Sequence, residues 1–193
     1  AGDLAITAGS VDSSGTLAAG MASDGTLQHT ARNGAVLDIV SAGALGATGR
    51  NLAAGAMHLR GGDLNLRGSQ SRAHDATLLA SGVLRTDGAQ LVAAGDLNVQ
   101  ARGVDNTGGT LHAGGVAAIT AIESVVNTGS LAAAGNLTVH AGSVDSSGIL
   151  AAGMGADGTL QPFAQDGATL RVTATRQVRA TGSNLAAGAL QLR

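Results

Sequence analysis

The sequence is short of the residues that fill most protein interiors. It has no tryptophan, tyrosine, cysteine or lysine, and only one phenylalanine, Phe163, and one proline, Pro162. Aromatic side chains normally supply much of a domain's buried area. A core made without them must be narrow and lined with small and medium aliphatic groups. Without cysteine there is no disulfide framework, no thiolate metal site and no thiol nucleophile. The 11 basic and 13 acidic residues leave a net charge of -2, which offers no bulk attraction to nucleic acid. No apolar run approaches the roughly 18 residues that span a bilayer. The opening residues, AGDLAITAGS, lack the basic start and apolar stretch of a signal peptide. With 44% apolar and 12% charged residues, the composition also argues against disorder.

Glycine is abundant, at 31 residues, and the sequence repeats itself. Gly2–Arg60 aligns with Gly135–Arg193 without gaps, and more than half of the aligned positions are identical. The shared strings include AGSVDSSG, LAAGM, DGTLQ and NLAAGA. A shorter unit lies inside the long one. Segments of the LAAG type end at Gly95, Gly115, Gly135 and Gly153, at nearly even intervals. The long offset of 133 equals seven times 19, so the unit reads as about 19–20 residues. Its clearest copy is GDLNVQARGVDNTGGTLHAGG, Gly95–Gly115.

Periodicity within the unit assigns its structure. Leu97, Val99 and Ala101 alternate with Asn98, Gln100 and Arg102, the pattern of a half-buried strand. VDNTG, VVNTG and VDSSG have turn compositions, and no segment sustains a helical period. The expected fold is all-β: a parallel β-helix, or solenoid, with about 19–20 residues per coil and roughly ten coils, a rod about 45–50 Å long. Leu97 should stack on Ala117 and Leu137, and Val99 on Ile119 and Val139. Asn106, Asn127 and Ser146 are expected to form a polar ladder. The intervals Gly20 to Gly55 and Gly153 to Gly188 are nearly twice the regular one. Each reads either as two shortened coils or as one coil plus a loop. Arg67–Thr77 is polar and reads as a loop or irregular coil, so the register stays open over 20–34, 55–95 and 153–167.

The repeated LxVxAxxVxNxGxLxAxG pattern, most plainly in Gly2–Gly20 and Gly95–Gly153, resembles the central repeats of the filamentous haemagglutinin family. These are two-partner-secreted bacterial exoproteins. The resemblance implies a right-handed β-helical shaft, export through an outer-membrane secretion partner, and attachment to host-cell glycans or receptors. It places the protein in the secreted or cell-surface fraction. No amino-terminal secretion domain is recognisable, and RGGD (Arg60–Asp63) is not an integrin-type RGD. The expectation is a single repeat segment, residues 1–193, cut from a longer fibre. Neither end carries an amphipathic cap, so exposed strand edges should favour end-to-end association of the isolated piece.

A β-helix can also carry an enzyme active site, and a carbohydrate-active enzyme is the alternative reading. A passive rod that delivers a terminal toxin is another. Asp12, Asp105 and Asp145 occur singly in apparent turns, and no aromatic platform for sugar stacking exists, so the chain reads as non-enzymatic. GGDLNL (Gly61–Leu66) matches only part of a calcium-binding nonapeptide. The five histidines, His29, His58, His74, His112 and His140, are scattered and read as surface residues. No cofactor is implied. The long copies differ where Asp38, Gly43 and Gly46 are replaced by Arg171, Arg176 and Arg179. Together these form a candidate site for sulfated or sialylated glycans. Arg67, Arg72 and His74 form a second candidate.

Overall fold

In a chain whose inward side chains recur once per turn, each strand finds its partner in its own counterpart one turn later. The computed structural model, which describes residues 2–161 and 167–193, has this arrangement throughout. All strand pairs are parallel, and no described residue is helical. The strands form three faces per turn. The first two faces meet in one 13-stranded sheet, because long strands such as Leu97–Asn106 and Ala117–Asn127 run around the corner between them. The register slips at that corner, between Ala101 and Gly103 and again between Thr120 and Ser124. An eight-stranded sheet makes the third face.

The expected ladders are present. Leu97 pairs with Ala117 and then Leu137, and Val99 with Ile119 and then Val139, all of them buried. The second face adds Leu45, Leu64, Leu84, Val104, Val125 and Val144. The third face contributes a column of alanines, Ala93, Ala113, Ala133 and Ala152, which leaves room for the leucines opposite. Each buried leucine or valine contributes about 1.5–3 kcal/mol. A narrow core filled this way needs no aromatic ring.

Turn length accounts for the irregular spacing. Most turns are close to the expected unit, as in Met57 to Ala76 and Ala76 to Leu97. Two are much longer, from Leu4 to Leu37 and from Leu137 to Leu170. Each long interval is one coil plus an inserted loop. Of the second, 162–166 lie outside the described residues. The solenoid therefore has eight complete turns, a rod about 40 Å long. The offset between the long copies corresponds to six turns, one of them enlarged. Arg67–Thr77 is regular: Gln70–Ala73 is a third-face strand that pairs with Arg50–Ala53 and Gln90–Ala93.

Two corners depend on particular residues. Where the second face passes to the third, Thr86 donates to Asn106 Oδ1 at 2.8 Å, and Asn106 Nδ2 to Asn127 Oδ1 at 2.8 Å. Asn127 Nδ2 in turn donates to Ser146 Oγ at 3.0 Å and to the Ile149 carbonyl at 3.1 Å. A Cβ on the adjoining Gly129 would lie 2.0 Å from the Gly109 carbonyl oxygen, which makes glycine obligatory there. Where the third face returns to the first, an Asp or Asn just before a first-face strand caps the next coil. Asp75 accepts from the Asp96 amide and Asp96 from the Val116 amide, both at 2.8 Å. Asn136 accepts from the Thr169 amide.

The recurrent NLAAGA string follows from the corner between the second and third faces. In the two coils where the corner residue is Ala47 or Ala180, an asparagine on the adjoining strand supplies the side-chain amide. Asn51 Nδ2 donates to the Ala47 carbonyl and Asn184 Nδ2 to that of Ala180. Asn184 pairs with Leu150, and Asn51 lies between Leu17 and Ser71, donating also to the Ser71 hydroxyl at 3.1 Å.

Replacing Asn127 by alanine leaves Ser146 Oγ and the Ile149 carbonyl without this buried donor. The expected loss is about 1–3 kcal/mol, read as a lower urea midpoint at constant m-value. Asn98→Ala, on the exposed side of the first face, should change stability by less than about 0.5 kcal/mol. Equal midpoints for the two variants would show that the ladder contributes nothing.

Candidate functional site

Arg171, Arg176 and Arg179 share one strand, Leu170–Ala180, but do not converge. Arg171 projects outward from the first face, between Thr138 and Gln191. Arg176 lies at the corner, where its guanidinium donates to the Glu123 carbonyl two coils away at 2.8 Å. Gly142 permits this reach, since a Cβ there would lie 2.7 Å from the Arg176 Nη2. The carboxylate of Glu123 meanwhile pairs with Arg102. Arg179 lies on the second face, directly beside Asp145. One of the three is thus engaged on backbone, and the other two are on different faces.

The outward column that contains Arg179 bears on acid chemistry. It reads Asp12, Gly46, Asn65, Arg85, Asp105, Val126, Asp145, Arg179. Asp12, Asp105 and Asp145 therefore stand on strands, not in turns, and no two of them are neighbours. Arginines stack next to Asp105 and Asp145, where another carboxylate would be repelled.

Arg67, Arg72 and His74 belong to one coil and point to different places. Arg67, in the turn before the third face, pairs with Asp87 of the next coil. His74 lies in the turn after that face, half-buried, with its Nδ1 buried and unpartnered. Only Arg72 faces a cavity. A groove of about 310 Å³ runs along the outside of the third face beneath the first inserted loop. Three successive strands supply Arg50, Gln70 and Gln90 from one column and Leu52, Arg72 and Val92 from the other. Leu27, from the loop, forms the lip.

Both inserted loops begin at a glycine with φ of 80°, Gly20 or Gly153, and fold back as short hairpins bridged Met21–Leu27 and Met154–Leu160. Their tips are alike. The Thr26 amide and hydroxyl donate to Asp24 Oδ1, and Thr159 does the same to Asp157. The hydroxyl bond of Thr26, then its amide bond, holds the Asp24 carboxyl below its ordinary value. For Asp157 the Thr159 amide leads and the hydroxyl follows.

The two hairpins dock differently. Met154 packs on Ala132 and Ala151, and its carbonyl accepts from His112 Nε2 at 3.1 Å. His112 is consequently buried at 7% exposure, against its expected place on the surface. Nothing in the local sequence around His112 signals this, because its cover comes from a loop far along the chain.

Two further grooves follow the corners. One is lined mostly by Gly, Thr and Ser around Gly129, the other by small residues such as Ser41, Gly61 and Ala80 together with Arg60, Leu79, Gln100 and Ile122. None of these three grooves is lined by Asp, Glu or His. Among the described residues, no group of three or more His, Asp or Glu side chains is placed to hold a metal ion. No described helix is long and apolar enough to cross a membrane.

A family model described as the haemagglutinin repeat matches residues 1–61, 22–92, 85–123 and 93–193, which together span the chain. No curated protein and no solved structure matches it.

The lowered carboxyl values of Asp24 and Asp157 set a pH dependence. A group with a depressed native value contributes above its ordinary value of 3.8 and loses that contribution as pH falls through the depressed one. The Thr26 and Thr159 amide signals should hold their positions near pH 5 and have their titration midpoints below 3.8, the ordinary value. Amide shifts followed by NMR check this, and titration above 3.8 would contradict it.

Proposed function

The chain belongs to the haemagglutinin repeat family, and on that premise we propose that it is a stiff shaft segment of a secreted bacterial fibre that attaches to host cells through glycans. Membership of the family implies an extracellular or surface protein. The observation that carries the shaft reading is the unbroken parallel ladder, which joins every coil to the next from Leu4 to Leu192. Its hydrogen bonds run along the rod axis. Bending the rod must stretch many of them at once, and that gives a thin object stiffness.

The same design suits export through an outer-membrane partner. Each coil contacts mainly its neighbours, so folding can propagate coil by coil as the chain emerges. The chain has no cysteine to cross-link before passage. The glycan part of the reading draws on the guanidiniums, which match sulfate and carboxylate groups in geometry and charge. Arg171 and Arg179 belong to this reading as outward donors on adjoining faces, and Arg176 as the residue that stiffens the corner between them.

Retention of the whole chain on an immobilised sulfated-glycan surface at low salt tests the attachment. Replacing Arg171, Arg176 and Arg179 by alanine should weaken retention, and added salt should weaken it further. Unchanged retention removes these arginines from the reading. Release of new reducing ends from the polysaccharide would replace the adhesive reading with an enzymatic one.

A further inference from the structure

The three arginines that the structure ion-pairs are Arg67, Arg85 and Arg102. Arg50 and Arg72 differ from them. Both line the groove beneath the first hairpin, and neither has a carboxylate partner among the described residues. They stand on adjacent coils, in neighbouring columns of the same sheet face. Diagonal neighbours on one sheet face lie within reach of long side chains, so two cations placed this way without a counter-charge repel each other, and a shared anion removes that cost.

The rest of the lining narrows the anion's chemistry. Gln70 and Gln90 stack on Arg50 and present amide donors and acceptors, suited to hydroxyl groups. Leu52 and Val92 make an apolar floor and Leu27 an apolar lip. At about 310 Å³ the groove lies at the small end of ligand sites. It has room for one ring with its charge attached directly, and little for a polymer or a folded partner.

We propose that this groove binds a single carboxylated sugar unit, with the carboxylate held by Arg50 and Arg72, the hydroxyls by Gln70 and Gln90, and one ring face against Leu27, Leu52 and Val92. This rests on the glycan reading above and assigns it a place.

The second long copy supplies an internal contrast. Arg50 corresponds there to Ser183, and Leu27 to Leu160, which is exposed at 38%. Its hairpin is committed instead through Met154 to Ala132, Ala151 and His112. Of the two groove arginines only Arg50 has a counterpart among the 193 residues, so the contrast is the exchange of Arg50 for Ser183.

Titrating the whole chain with N-acetylneuraminic acid, glucuronic acid, a sulfated galactose and plain galactose tests the site. Methyl and backbone NMR shifts give the readout. The carboxylated sugars should saturate, with shifts centred on Leu27, Leu52 and Val92. Galactose and its sulfate should bind at least about tenfold more weakly. Arg50→Ser with Arg72→Ala should abolish saturation while leaving the far-UV spectrum unchanged, and Asn98→Ala, on the exposed side of the first face, should not affect it. Shifts centred elsewhere in the unaltered chain, equal binding of galactose, or preference for the sulfate would each overturn the proposal without needing a variant to fold. If the Arg50/Arg72 variant still adheres fully to a glycan surface, this site fails and the adhesive reading stands. Loss of adhesion in every variant and in the unaltered chain would remove both.

Discussion

Everything in this molecule follows from one constraint: each backbone group must find its partner in the coil before or after it, about 4.8 Å away. A strand in a parallel solenoid has no other partner. Side chains at equivalent positions are then forced into contact, and inward positions must tile a shared core. Asn106 on Asn127 shows the polar form of the rule and Val99 on Ile119 on Val139 the apolar form. A buried asparagine costs heavily if unpaired, but in a ladder each amide satisfies the next. Where the ladder cannot continue, at Ala47 and Ala180, another asparagine supplies an amide to the backbone from the adjoining strand.

The constraint also determines where extra residues can go. A coil that kept its surplus within its own outline would break register with both neighbours. The surplus is instead expelled at Gly20 and Gly153 into hairpins that lie against the outer surface of the third face. An insertion of this kind changes nothing in the core and creates new surface outside it. The groove at Arg50 and Arg72 arises in this way, between a regular sheet and a segment the sheet could not absorb.

That division explains what could be read from the sequence. The inward ladders were legible because strand alternation and the even spacing of the repeats state them directly, and the Asn106, Asn127, Ser146 column was legible for the same reason. The number of coils was not. The long offset divides evenly by the short unit, yet the true path is six turns with one hairpin, and only the pairing of Leu4 with Leu37 distinguishes these. Arg67–Thr77 looked irregular because its strand, Gln70–Ala73, carries polar residues, including an inward serine at Ser71. The three arginines of one strand lie apart for a geometric reason. Spacing along a strand does not reveal that the chain turns a corner at Arg176. His112 and the Leu27 lip depend on contacts made by loops, and no period encodes those.

Divergence between the two long copies sorts along the same line. Most inward ladder positions change within the aliphatic class, as Ile39 to Val172 or Leu45 to Val178, with Ser41 to Ala174 an exception. Outward positions change charge freely, as Asp38 to Arg171 or Arg50 to Ser183. A solenoid thus separates two tasks that a globular domain mixes. Its interior answers to stacking alone, and any specificity must be written on outward columns and on expelled loops. Two copies of one module on one rod can then share a core and differ in the surface they present. The first hairpin is poised over two arginines without carboxylate partners, while the second is committed to His112. In a molecule built by repetition, function has to be sought where the copies disagree and a loop has left the ladder.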